Sequence, residues 1–279
     1  MVKNTMKQFL ETTRSLLRDR GTLAIFAGLY TLLLAALYGF ITTREATVWQ
    51  VLLTLLFVAA APVIFFLLQA AIINRARTGI IEWNRALRDS TKLALLALPV
   101  ILVGLGVMWL LNRWQAHFPA PHFTPPVVSP GTSQVVAVAP LHWPTVLFAT
   151  LRALVLGIAL PLALIQLWVE LAGQNVLLLV RSGARPFVKS LGQILARAFG
   201  PQSVLIYALG LGVFGLIPYV LLFVHVPVKG AWSEITIFTV RLVLVFMFIL
   251  VGWVITLSIF AKNNSALAVA GPTTGGESV

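Results

Sequence analysis

Long apolar runs alternate with short basic stretches along the whole chain. Six of the runs come close to or exceed the ~20 residues a helix needs to cross the hydrocarbon core of a bilayer. They predict spans at about residues 22–41, 48–73, 93–111, 145–169, 202–226 and 235–261. Two basic stretches carry a helical stripe of their own. In residues 1–21, Met6, Phe9, Leu10, Leu16 and Leu17 gather on one face, and Lys3, Lys7, Arg14, Arg18 and Arg20 fill much of the rest. In the stretch 170–200, Phe187, Val188, Leu191, Ile194, Leu195, Ala198 and Phe199 form the stripe, with Lys189, Gln193 and Arg197 off it. Helices of this kind lie in the interfacial plane of a membrane. The expected fold is an all-α integral membrane protein of six transmembrane helices with amphipathic interfacial helices.

The pattern also repeats. Pro62, Arg77-Thr78-Gly79, a charged helix and Gly104-Leu105-Gly106-Val107 occur in the same order as Pro161, Arg181-Ser182-Gly183, a charged helix and Gly210-Leu211-Gly212-Val213. Between the copies, residues 112–144 hold seven of the fifteen prolines, which rules out a continuous helix there. Gln134 to Ala139 is a weak strand candidate within that loop. The last span and the first supply the parts of a third copy split across the termini. Thr150-Leu151-Arg152 and Thr239-Val240-Arg241 fit that scheme. Residues 262–279, ending in a Gly- and Ser-containing stretch, read as a disordered tail.

Composition agrees with a membrane location. Only 10% of the 279 residues are charged and 59% are hydrophobic, where a soluble domain carries about 25% charged residues. The net charge of +12 therefore has a topological reading rather than a nucleic-acid one. Fifteen Lys and Arg lie in residues 1–21, 74–92, 170–200 and 262–279, against three in the other connections. Both termini are expected in the cytoplasm of a bacterial cell with the Pro-rich loop outside, in the inner membrane, and the repeat is then parallel. The first apolar run is longer than the core of a cleavable signal peptide and is read as a retained span. The absence of Cys excludes disulfides, thiol chemistry and Cys-ligated metals.

Candidate chemistry is sparse. Arg152 and Arg241 lie inside spans, where a central charge costs about 2.5–3.5 kcal/mol on insertion scales. They either snorkel to the outer interface or attract an anionic headgroup or solute. With Arg185, Lys189 and Arg197 of the second amphipathic helix, they are the candidate lipid or solute contacts. Pro62 and Pro161 are the candidate kinks, each removing a helical hydrogen bond. No Asp or Glu lies inside a span, which argues against a carboxylate proton relay, and Gln69, Gln166 and Glu170 sit near span ends. The histidines at 117, 122, 142 and 225 lack metal spacing. The Gly-x-Gly pairs are read as helix-packing sites. Nucleotide-binding, hydrolase and zinc-protease motifs are missing, so no catalytic residue, metal or cofactor is expected. The Asn263-Asn264-Ser265 sequon falls on the cytoplasmic side of this topology.

Arg77-Thr78-Gly79 and Arg181-Ser182-Gly183, each followed by an amphipathic helix and an apolar span, resemble the membrane domain of glycerophosphodiester phosphodiesterases and its stand-alone bacterial relatives. The likeness covers most of residues 46–223 and carries no catalytic residue across. It implies a membrane module. The expected function is a non-enzymatic scaffold, lipid-organising or partner-supporting protein. Its partners would be the bilayer, anionic headgroups and a protein of unspecified kind, and not nucleic acid. The alternative is a permease or exporter working through the Pro-kinked second and fourth spans.

Overall fold

A computed structural model describes residues 2–43, 47–119, 142–172, 184–224 and 230–269, leaving aside the side chains at 2, 4, 184–188, 190, 191 and 265–269. About 92% of this is helical, with no strand among the described residues. The helices are α1 (Val2–Arg18), α2 (Arg20–Thr42), α3 (Val48–Thr78), α4 (Trp83–Gln115), α5 (Trp143–Leu154), α6 (Leu160–Leu171), α7 (Ala184–Ala198), α8 (Pro201–Leu211), α9 (Ile217–Phe223) and α10 (Ala231–Val269). A π turn, Val155–Ala159, joins α5 to α6, and another, Gly212–Leu216, joins α8 to α9. Six helical stretches are long and apolar enough to span a membrane: α2, α3, α4, α5–α6, α8–α9 and α10. The protein is an all-α, six-span membrane protein.

Each π turn has the same cause. Proline has no N–H, and its ring crowds the carbonyl four residues earlier. For Pro161 that residue is Gly157, and for Pro218 it is Phe214. These are the middle residues of the two π turns, so the chain widens where the ring would clash. At Pro62 and Pro99 the helix continues as α throughout.

Two element boundaries differ from the sequence expectation. The charged helix after Gly79 does not stop before the third span but runs into it as a single 33-residue helix. Nothing between Asp89 and Leu98 breaks a helix, and the first helix-breaking residue there is Pro99. In the second copy, Gly200-Pro201 does separate α7 from α8: Gly200 is extended and Pro201 opens the next helix. Finally, α10 continues to Val269, so residues 262–269 are helical rather than disordered; no Gly or Pro falls among them to break the helix. Residues 270–279, the strand candidate at 134–139 and the Arg181-Ser182-Gly183 motif lie outside the described residues.

The described residues form two units, Leu98–Pro161 and the rest. In the larger one, α10 is the central element. In its most apolar window 44% is buried, against 17–22% in the other spans. It packs on α1, α3, α8 and α9. The core lies where three spans meet at the ends next to the basic stretches. Leu68 to Asn74 of α3 are buried on every side, as are Ile165 to Val169 of α6 and Val254 to Leu257 of α10. A helix apolar all round belongs inside. Phe65 and Phe66 meet Trp168 edge-on at 6.1 and 5.9 Å. The α2 helix packs mainly on α3 and meets α10 through Tyr30 and Phe246, at 6.5 Å between rings. In the smaller unit, Gly104 lies against Leu160, and Phe118 stacks at a tilt on Phe148 at 6.1 Å.

Candidate functional site

Polar groups at the basic ends of the spans knit the core together. Trp253 Nε1 donates to Gln69 Oε1 at 2.6 Å, and Asn264 Nδ2 to Gln166 Oε1 at 3.1 Å. Trp168 Nε1 donates to the Leu93 carbonyl at 3.1 Å. Arg77 donates to the carbonyl of Val169, in the last turn of α6, where helical carbonyls have no partner of their own. The motif arginine is thus a cap on a neighbouring span. Gly79 supplies the left-handed residue (φ 84°) that ends α3, and its N–H closes on the Arg75 carbonyl at 3.0 Å.

Beside this girdle the N-terminal helix is anchored by a corner of charge. Asp19 caps α2, accepting from the Thr22 N–H at 3.2 Å and the Thr22 hydroxyl at 2.7 Å. Arg75 Nη2 meets Asp19 Oδ2 at 2.6 Å, and Arg75 Nε donates to the Thr22 hydroxyl at 3.2 Å. The Arg75 guanidinium, then the Thr22 donors, hold the Asp19 carboxyl down at about 2. This corner forms one wall of a recess of about 60 Å³, room for a few waters or one phosphate-sized group. Thr12, Ser15, Thr22 and Ser258 bring hydroxyls to it, Phe26 and Leu16 an apolar floor, and Lys262 a second cation. Two cations and one carboxylate leave the rim net positive. Above it, α1 turns Thr5 and Thr12 inward and leaves Met6, Leu10 and Leu17 exposed. Lys3, Lys7, Arg14 and Arg18 are exposed as well.

The sequence candidates fall in different places. Arg197 pairs with Glu170 Oε1 at 3.2 Å, which ties α7 to the end of α6, while Lys189 is exposed on α7. The side chain of Arg185 lies outside the described residues. Ile194 and Ala198 of the α7 stripe are buried, and Leu195 and Phe199 are exposed. Arg241 donates to the Val224 carbonyl at 2.7 Å, closing the end of α9. Arg152, in the smaller unit, bonds Asn112 and Gln115. Pro62 is exposed and Pro161 half-buried. Of each Gly-x-Gly pair only the first glycine touches a neighbour: Gly104 faces Leu160 and Gly210 faces Thr256, while a Cβ at Gly106 or Gly212 would meet open space.

Sequence reasoning missed the Asp19–Arg75 corner. Its one local signal was Asp19 three residues before Thr22, a helix-start pattern. The pairing with Arg75 spans 56 positions and had none. Among the described residues no cluster of His, Asp or Glu could hold a metal ion. No protein-family model matches the chain, and neither the curated proteins nor the solved structures yield a match.

Proposed function

We propose that the protein is a non-enzymatic membrane module that seats an anionic lipid headgroup at its basic end and organises lipid, or a partner, around it. The observation that carries this reading is the net-positive, hydroxyl-lined recess of Arg75, Asp19 and Lys262 beneath α1. A phosphate there would gain charge-assisted bonds, and α1 would lay its exposed Met6–Leu10–Leu17 stripe in the interface with its basic residues toward the headgroups. Each basic residue near an anionic surface contributes about 1 kcal/mol.

The charge distribution supports placing this end in the cytoplasm of a bacterial inner membrane. The lack of Cys makes that simple to check. A single cysteine introduced by Ser278→Cys should react with an impermeant maleimide only after the cells are opened. Labelling of intact cells contradicts the orientation.

Support for a parallel repeat comes from three glycines. Gly39, Gly104 and Gly210 each face the span that follows their own, at Phe57, Leu160 and Thr256. Such a plan suits the likeness to phosphodiesterase membrane domains, a likeness that brings no catalytic residue to this chain. The permease alternative draws less support. Pro62 is exposed, and the residues from Val58 to Phe66 around it are all apolar, so no polar group there could receive a solute.

Native mass spectrometry of the full chain, released from mixed phosphatidylglycerol and phosphatidylcholine bilayers, tests the reading. The wild type should retain phosphatidylglycerol. Lys262→Glu, which reverses a rim charge, should weaken that retention about fivefold or more, the equivalent of ~1 kcal/mol. Equal retention by both proteins contradicts the reading.

A further inference from the structure

The unit formed by Leu98–Pro161 contains a cation that its own residues leave uncompensated. No Asp or Glu occurs between Asp89 and Glu170, so no carboxylate in this unit can answer Arg152. Arg152 lies in the last turn of α5 and is half-buried. Helical side chains lean toward their helix N-terminus, and this one reaches the end of α4. Its Nη2 donates to Asn112 Oδ1 at 2.6 Å and to Gln115 Oε1. Its Nε is buried and has no acceptor among the described residues. Two neutral amides orient the guanidinium without cancelling its charge, which leaves a half-buried, fixed cation for an anion to join.

The groups around it are donors. With their oxygens turned to Arg152, Asn112 and Gln115 keep their amide NH₂ groups for a ligand. Thr145, whose hydroxyl is bonded to His142 Nδ1 at 2.7 Å, lines the same recess, of about 290 Å³, with Ala116, Phe118 and Pro119. A planar guanidinium beside amide donors matches an oxyanion better than a cation or a neutral solute. Trp109, Trp114 and Trp143 of the same unit are exposed, as aromatic side chains at the headgroup level of a bilayer are.

We propose that Arg152, held by Asn112 and Gln115, binds a phosphate-type oxyanion, either a phospholipid headgroup or free phosphate. This site is separate from the Arg75–Lys262 recess and does not rest on it.

Two variants of the full chain test the proposal. Arg152→Gln removes the cation. Asn112→Asp keeps the arginine and the side-chain shape but supplies the missing carboxylate from within the unit, so it should fold and yet no longer need an outside anion. If the ligand is a lipid, native mass spectrometry should show one phospholipid fewer on both variants than on the wild type. If it is free phosphate, inorganic phosphate should raise the melting temperature of the lipid-stripped wild type in detergent. Both variants should then bind phosphate about tenfold or more weakly. Unchanged lipid stoichiometry together with an absent or unchanged phosphate response overturns the proposal. Lys262→Glu leaves Arg152 intact, so failure at one site is distinguishable from failure at the other.

Discussion

Asp19 joins two roles that are usually separate, capping α2 and pairing with Arg75 from a distant span. Its carboxyl is depressed from 3.8 to about 2, chiefly by the Arg75 hydrogen bond. A depressed acid contributes fully above its unfolded value and loses that contribution as pH falls toward its folded one. The anchoring of α1 should therefore be constant from neutral pH down to about 4 and weaken between about 4 and 2. Asp19→Asn should reproduce the weakened state at neutral pH. Protease sensitivity of α1 in detergent, followed against pH, checks this. A variant as resistant as the wild type contradicts it. Arg77 and Arg241 show the same economy: each arginine satisfies the carbonyl at the end of a neighbouring helix, a role that their sequence context does not announce.

At the scale of elements, much of the fold was legible. Apolar runs located all six spans because lipid forces every spanning backbone into a helix. The ends were less legible. The third span reaches back to Trp83 because its charged first turns contain no breaker, and the last helix reaches Val269 because no Gly or Pro interrupts residues 262–269. Gly79 and Gly200 each end a helix for a backbone reason, a left-handed φ at the first and an extended residue before proline at the second. Glycine packing was half legible. The sequence marks both members of each Gly-x-Gly pair, but helix phase points only one at a neighbour. Gly210→Ala should place a methyl group against buried, β-branched Thr256, which has nowhere to move. It should destabilise the protein by about 1–3 kcal/mol. Gly212→Ala should be close to neutral or slightly stabilising, since it meets open space and favours helix. Unfolding in denaturing detergent compares them, and equal losses would refute this assignment.

At the scale of the whole molecule, charge and apolarity are segregated. The buried core gathers at the basic ends of α3, α6 and α10, bound by Gln69–Trp253 and Gln166–Asn264. Large apolar side chains elsewhere on the spans face outward, as they can only in lipid. The candidate sites were the least legible part. Charge counts located where the cations gather, but not how each one is held. Arg75 was passed over because its partner lies 56 positions away, and Arg152 was noticed for its depth without the amides, 37 and 40 positions away, that hold it. Such contacts depend on how spans meet, which no local pattern encodes.

The most direct test is photocrosslinking of the full chain in bilayers containing a phosphatidylglycerol analogue with a photoreactive headgroup, with the adducts mapped by mass spectrometry. Among the basic ends of the spans, the account predicts adducts concentrated on Thr12 to Thr22 and on Ser258 to Lys262, reduced by Lys262→Glu; adducts around Arg152 belong to the second site and do not bear on this one. Adducts spread evenly over the basic residues, or unchanged in that variant, would contradict it.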